Sequence, residues 1–325
     1  MVFIAPCFPE SQNLIPTVWW SETGCKDRIM LKTAIDQKYY CPTYGYREGL
    51  ALMKKHGYDC LDFEEFCETD TELFQLDSIG FEKYLRKQAE ICTEEGLEIH
   101  QTHGPWRWPP CDFTPMDREE RLEKMSKSVE GTAILGCDKM IIHPIMPYTT
   151  WVDGHCIVKD DGHEQETYDI NLEFMRRLCD VGRKCGVTIC FENMPMPLFS
   201  LASIPDILRV VYDINDEYFK VCLDTGHSAV VKRDVAEDVR LIGKDLLQSL
   251  HIHDNCGHHD DHMSPFEGVI KWIDFCDSLR QMDFDGVMSM EIKRAKYLPE
   301  ELWEMEDVLL YRKIAALAKM ASNDK

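Results

Sequence analysis

The chain has 325 residues, enough for one large α/β barrel with no second domain. Its 36 Lys+Arg against 58 Asp+Glu leave a formal charge of −22, which repels phosphate backbones and acidic lipid surfaces, so neither nucleic acid nor membrane is an expected partner. The 15 cysteines fall singly, with no C-x-x-C pair, and Cys190 and Cys222 lie inside apolar strand-like runs, a pattern that predicts reduced thiols in a cytoplasmic protein. The opening MVFIAPCFPE has no basic n-region and no window approaches about 18 uninterrupted apolar residues, so neither secretion nor a membrane span is expected.

In chain order, short β-rich runs alternate with longer amphipathic stretches. The strand candidates are 2–6 (VFIAP), 60–63 (CLDF), 97–103, 139–144, 187–193, 219–227, 249–255 and 286–293. Helical patterns at 81–96 and 118–136 each close on Gly, as a left-handed C-terminal residue requires. Eight βα repeats predict a single (β/α)8 barrel over residues 1–325. Two excursions, 7–43 and 145–165, follow the first and fourth candidate strands and so extend the catalytic face. No Gly/Ser linker, low-complexity tract or charge block marks a second domain.

The chemistry is carried by Glu192, Asp224, His251 and Glu291, which lie on the last four candidate strands in runs otherwise made of Val, Ile, Cys, Leu and Met. Removing an unpaired carboxylate from water costs several kcal/mol, so such a group implies a cation, a partner or a reaction. Lys293, two residues past Glu291 and on the same strand face, is the one nearby cation that could pair with it. Mixed carboxylate and imidazole donors suit one divalent ion, with manganese preferred and Mg, Co or Zn compatible.

The ordered series FENMP, LDTGH, HIHDN with the following DDH, FEGVIKW and MEIK resembles the sugar isomerase and epimerase branch of the xylose-isomerase-like barrels, a superfamily that also contains the endonuclease IV type of abasic-site nuclease. The resemblance covers roughly Leu97 to Lys293. It implies that Glu192, Asp224, His251 and Glu291 hold one divalent ion, and that Glu192 and Glu291 also move a proton beside a sugar carbonyl through a metal-stabilised enediolate. His227 would touch substrate hydroxyls. His251 is preferred to His253 because an acidic residue, Asp254, follows it by three positions, although both histidines face the same side of a strand and the choice stays open. The segment NMPMPLF lacks the second acidic residue that ketose epimerases carry after the Glu, so a simple ketose is not implied.

His103 and His143 close the third and fourth candidate strands. In the nuclease branch their equivalents, with an Asp-x-His such as Asp260 to His262, help hold three zinc ions. Against that reading, loops 104–115, 145–165 and 254–266 contain only Arg107 and Lys159 as cations. In a carbohydrate enzyme His143 is instead a general base, and His103, Trp106, His227, His253, His262 and Lys293 contact substrate. Trp19, Trp20, Trp106, Trp108 and Trp151 would stack on a sugar face or a flat aglycone. The plan also resembles the α subunits of bacterial C-glycoside deglycosidases, which implies a lyase alternative: elimination from a 3-oxo-C-glycoside, with a small β-rich partner subunit. A homo- or hetero-oligomer is expected on that ground.

Overall fold

The computed structural model describes residues 30–106, 112–152 and 155–323. Among them, eight parallel strands form the main sheet, in the order β10-β1-β2-β3-β4-β7-β8-β9. They are β1 (Lys32–Asp36), β2 (Cys60–Phe63), β3 (Glu98–His103), β4 (Lys139–Ile142), β7 (Thr188–Glu192), β8 (Phe219–Asp224), β9 (Leu247–His251) and β10 (Val287–Met290). The ring closes just past β9, where Ile252 bridges Met290 in parallel and its N–H donates to Ser289 O at 2.9 Å. The sheet is therefore the expected α/β barrel.

The first strand differs from the sequence expectation. VFIAP lies outside the described residues, and the first barrel strand is KTAID, inside the stretch 7–43 that was expected to be an excursion following it. KTAID is short and begins with an exposed Lys, so its strand signal is weak; pairing with both β2 and β10 overrides local propensity. The excursion after β4 is present and carries an antiparallel hairpin, β5 (Thr149–Val152) and β6 (His155–Val158).

Helices α1 (Tyr46–His56), α2 (Ser78–Glu94), α3 (Pro115–Ile134), α4 (Glu164–Cys185), α5 (Ile204–Ile214), α6 (Thr225–Val230), α7 (Val235–Ile242), α8 (Trp272–Gln281) and α9 (Trp303–Ala321) surround the sheet. Their ends follow local chemistry. Thr114 and Asp117 form a capping box at α3, Ser203 and Asp206 another at α5, and Gly186 ends α4 at φ 69°.

Strand residues alternate between two environments. Ile35, Leu61, Met140, Ile189, Val221 and Met288 join the large core between sheet and helices. Their neighbours Ala34, Cys60 and Val287, and Ile141, Cys190 and Cys222, form two separate small clusters, the plug inside the barrel. Cys60, Cys190 and Cys222 are therefore small lumen fillers, and all three are free thiols. No helix among the described residues is long and apolar enough to cross a membrane.

Candidate active site

Within one residue of the C-terminal ends of the eight strands stand eight ionisable residues: Asp36, Asp62, His103, His143, Glu192, Asp224, His251 and Glu291. Asp36, His103, His143 and Glu291 of this set line a cavity of about 1040 Å³. Placing so many charges on one rung is tolerable only because they neutralise one another or a bound cation.

Glu192 is at the centre. Its Oε1 lies 2.8 Å from His251 Nδ1, and its Oε2 lies 2.9 Å from His143 Nε2 and 3.6 Å from His103 Nε2. Glu291 Oε2 reaches His251 Nδ1 at 3.1 Å. Glu192, Asp224, His251 and Glu291 thus each offer a ligand atom within 4.8 Å of the others. His253 belongs to a neighbouring set: its Nε2 is 3.0 Å from Asp224 Oδ2 and 3.5 Å from Asp260 Oδ1. His227 Nε2 lies 3.6 Å from Asp260 Oδ2, and His262 Nε2 lies 2.9 Å from the same oxygen. Four further groups among the described residues have metal-binding spacing: His103 with His143 and Glu192, Glu192 with Cys222 and His251, Asp224 with His227 and His253, and His253 with Asp260 and His262.

The far side of the rings supports ligation. His103 Nδ1 is 2.9 Å from Gly104 O, His227 Nδ1 is 2.7 Å from Asn193 O, and His262 Nδ1 is 3.1 Å from Glu291 O. His251 Nε2 is 2.9 Å from Asp62 Oδ2, which also accepts from Gln101 Nε2 at 2.7 Å. In each case one nitrogen faces an outer carbonyl or carboxylate and the other faces the site carboxylates, to which the protonated ring donates; a cation that replaced that proton would meet an imidazole already fixed by its outer partner. The buried oxygens Glu192 Oε2 and Asp260 Oδ1 have no hydrogen-bond donor of suitable geometry, so a cation fits here. His143 differs, because its Nδ1 is buried without a partner.

Protonation follows the same geometry. Burial opposes the charged ring of His227, but Asp224, Asp260 and Glu192 carry it up to about 10. Burial likewise opposes His262, which Glu291 and Asp260 bring to about 9. At His143 burial wins over Glu192 and pushes the ring down to about 4, so it stays neutral. Burial disfavours the charged Glu192, yet His251 and His143 hold it well below the carboxylate range.

Local sequence explains the placement. Asp224 caps α6, accepting from His227 N at 2.6 Å, while Asn193 clamps Asp224 through both backbone groups at 2.8 and 3.0 Å. Gly226 is required between them, since a Cβ there would approach His253 Cε1 to 1.9 Å. Asp254 holds the next loop, accepting from Gly268 N, Ile270 N and Trp272 Nε1. His262 adopts φ 50°, in the left-handed region. On the other arc, Trp106 packs edge-on against His143, with centroids 4.5 Å apart. Lys293 lines the cavity but does not pair with Glu291 as the sequence suggested; Glu291 is taken by imidazoles instead. Trp19, Trp20 and Trp108 lie outside the described residues, as does the side chain of Trp151.

Sequence reasoning passed over Asp36, Asp62 and Glu64. The signal was available: acidic residues closing or following the runs KTAID and CLDF, as Glu192 closes TICFE.

The fold and the donor-lined mouth define an α/β barrel with candidate metal-binding positions at its strand ends. The chain belongs to the xylose isomerase-like TIM barrel family, whose model matches residues 50–314. It is 26% identical over 250 residues to the uncharacterized protein MJ1311 of Methanocaldococcus jannaschii, covering 74% of this chain and 77% of that one. Among solved structures, the IOLI protein with a bound zinc atom superposes with TM-score 0.69 at 17% identity, over 90% of this chain and 98% of that one. The 3-keto-D-glucoside 4-epimerase YcjR of E. coli superposes with TM-score 0.65 at 16% identity, over 87% and 99%.

Proposed function

We propose that this protein is a divalent-metal-dependent enzyme that moves a proton beside a sugar carbonyl, as an isomerase or epimerase. The observation that carries the reading is the convergence of Glu192, Asp224, His251 and Glu291 within 4.8 Å at the strand ends, with His251 anchored from behind by Asp62. When bound, a divalent ion would polarise a carbonyl and its neighbouring hydroxyl, and manganese suits this donor set. Glu192 and Glu291 are placed to take and return the proton, and the neutral His143 can accept one from the other side of Glu192. His103, Trp106, His227, His253 and His262 then contact the substrate around them.

The cavity of about 1040 Å³ is at the upper end of the usual range for small-molecule sites, which favours a substrate larger than a free monosaccharide. Proton abstraction from a 3-oxo-glycoside, followed by epimerisation or by elimination of the aglycone, uses the same first step, and the likeness to a 3-keto-D-glucoside epimerase supports including it.

A second reading has its own observation. The two outlying groups, His103/His143/Glu192 and His253/Asp260/His262, with His227 beside Asp260, could hold further ions and make a multinuclear phosphoester hydrolase. Elemental analysis of protein purified without chelator separates the two: about one ion per chain supports the enolising enzyme, and close to three zinc ions supports the hydrolase. A panel of free sugars, sugar phosphates and 3-oxo-glycosides, assayed for exchange of solvent deuterium into the substrate, tests the chemistry. Absence of exchange on every member of the panel by the metal-loaded protein would sink the first reading.

A further inference from the structure

A second cleft lies beside the mouth of the barrel, and its charges are not matched. It holds about 400 Å³ between the loop after β2 and the start of α2, and Lys38 and Glu64 line both it and the main cavity. Glu65, Glu68 and Glu72 line it as well, so four carboxylates meet one ammonium group. Lys38 Nζ is 2.9 Å from Glu64 Oε2, whereas Glu65, Glu68 and Glu72 have no basic partner among the described residues. The rest of the wall is largely apolar, made by Leu73, Leu76 and the ring of Tyr84.

Exposed acids are ordinary in a chain of formal charge −22, so the cluster by itself is no site. Two buried oxygens set it apart. Glu64 and Gln37 are 5% and 4% exposed, and neither Glu64 Oε1 nor Gln37 Oε1 accepts a hydrogen bond. Gln37 Nε2 donates to Glu65 Oε1 at 3.3 Å, which puts the unsatisfied amide oxygen next to a carboxylate of the cleft. Buried acceptors of this kind call for a donor. Burial also lifts the Glu65 carboxyl above its ordinary value against the opposing pull of Tyr84 and Gln37. The cleft is held open by fixed contacts: Tyr84 Oη donates to Glu65 Oε2 at 2.6 Å, and Lys127 Nζ donates to Phe74 O and Leu76 O at 3.3 and 3.0 Å. Lys127 also stands 4.4 Å from the centre of the Phe81 ring, pinning the turn Glu72–Gln75 between α2 and α3.

The spacing of the acids decides which cation fits. A bare divalent ion needs several oxygens around one point, and no three of these carboxylates come within metal-binding spacing among the described residues. Carboxylates strung along a partly apolar wall suit ammonium groups joined by methylenes, whose stem lies on Leu73, Leu76 and Tyr84 while the charged ends meet the acids. Each ammonium brings three donors to a place that holds acceptors without any. We propose that this cleft binds a small aliphatic polyammonium compound. The site is separate from the proton-transfer centre and does not rest on the enolising reading.

The test is calorimetric titration of the full chain with spermidine at physiological ionic strength, beside the Glu68→Gln/Glu72→Gln double variant. A second double variant, Glu173→Gln/Glu217→Gln, removes the same charge from exposed acids that do not line the cleft. Saturable binding that weakens about tenfold or more in the cleft variant, and by less than about twofold in the control, is expected. Magnesium chloride should compete no better than sodium chloride of equal ionic strength. Absence of saturable binding, equal losses in the two double variants, or specific displacement by magnesium would each overturn the proposal. The first two outcomes mean diffuse attraction to an acidic protein, and the third means a metal site. Glu68 and Glu72 are exposed, and an unchanged melting curve without ligand establishes that the variants are folded. Should the double variant fail to fold, the single variants Glu68→Gln and Glu72→Gln carry the same comparison, each with an expected loss of about threefold or more.

Discussion

Asp36 and Asp62 stand on the same rung of the barrel as Glu192, Asp224 and Glu291, yet the two sets are treated in opposite ways. On the β1–β2 arc the carboxylates are held by fixed donors, although Asp62 Oδ1 is buried without one. Asp36 takes two backbone N–H groups, and burial together with Glu64, Glu291 and Asp62 pushes its carboxyl well above the usual range; Asp62 takes His251 and Gln101. On the β7–β10 arc the carboxylates face imidazole nitrogens: Glu192 Oε2 lacks a donor of suitable geometry, while Asp224 is engaged through both oxygens, by His227 N and His253 Nε2. The difference teaches that a buried acid is the stronger candidate ligand where several imidazoles surround it, because an imidazole can exchange its proton for a cation. We read one arc as orienting and the other as the candidate binding arc.

The largest effect should come from the binding arc. Glu192→Ala or Asp224→Ala should remove bound metal and lower turnover by about 10³-fold or more while the barrel stays folded, whereas His143→Ala should lower turnover and spare the metal. Metal analysis with circular dichroism on all three checks this. Loss of an ion in the His143 variant would move that residue into the binding set and favour the multinuclear reading.

Next comes the scaffold that holds the β3 and β4 loops. Arg121 and Asp112 are fully buried and paired at 2.8 Å, Arg121 also reaches Pro105 O, and Asp112 receives Met146 N. Removing one partner strands the other charge, so Asp112→Ala should cost about 3–5 kcal/mol, read by denaturant unfolding. A loss below about 1 kcal/mol would mean that water reaches the guanidinium and the pair does not set these loops.

A smaller effect sharpens the contrast between arcs. Asp62→Asn keeps the shape but weakens the hold on His251 Nε2, and metal affinity should fall by about 10–100-fold with little change in fold. Unchanged affinity would show that Glu192 and Glu291 orient His251 without help.

Most of the binding arc was legible in the sequence because Glu192, Asp224, His251 and Glu291 interrupt apolar runs, where charge is costly. The orienting arc was not legible in the same way. Asp36 sits in KTAID, a strand too short and too polar at its start to announce itself, and its partner Ile292 lies 256 residues away. The Asp62 partner His251 is 189 residues distant. His253, adjacent in sequence parity to His251, is separated from it only by packing: Thr225 Oγ1 takes His253 N at 3.0 Å and Gly226 leaves room for its ring. The suggested pairing of Lys293 with Glu291 is not formed for a related reason, since imidazoles from β9 and the following loop reach Glu291 first.

The smallest predicted effect is a difference in pH dependence. His227 and His262 are raised to about 10 and about 9 from an ordinary value near 6.5 once burial is outweighed by the carboxylates around them. A raised folded-state value means that the charged rings stabilise the metal-free protein fully below about pH 6.5, and that this contribution is lost as pH climbs through about 9 to 10. A cation among the adjacent carboxylates Asp224 and Glu291 repels those protons, so its hold strengthens over the same interval. The melting temperatures of chelator-treated and manganese-loaded protein should therefore separate by a few more degrees at pH 9 than at pH 6.5. A gap that stays constant or narrows would place the ion away from these imidazoles, and with them the arc that binds.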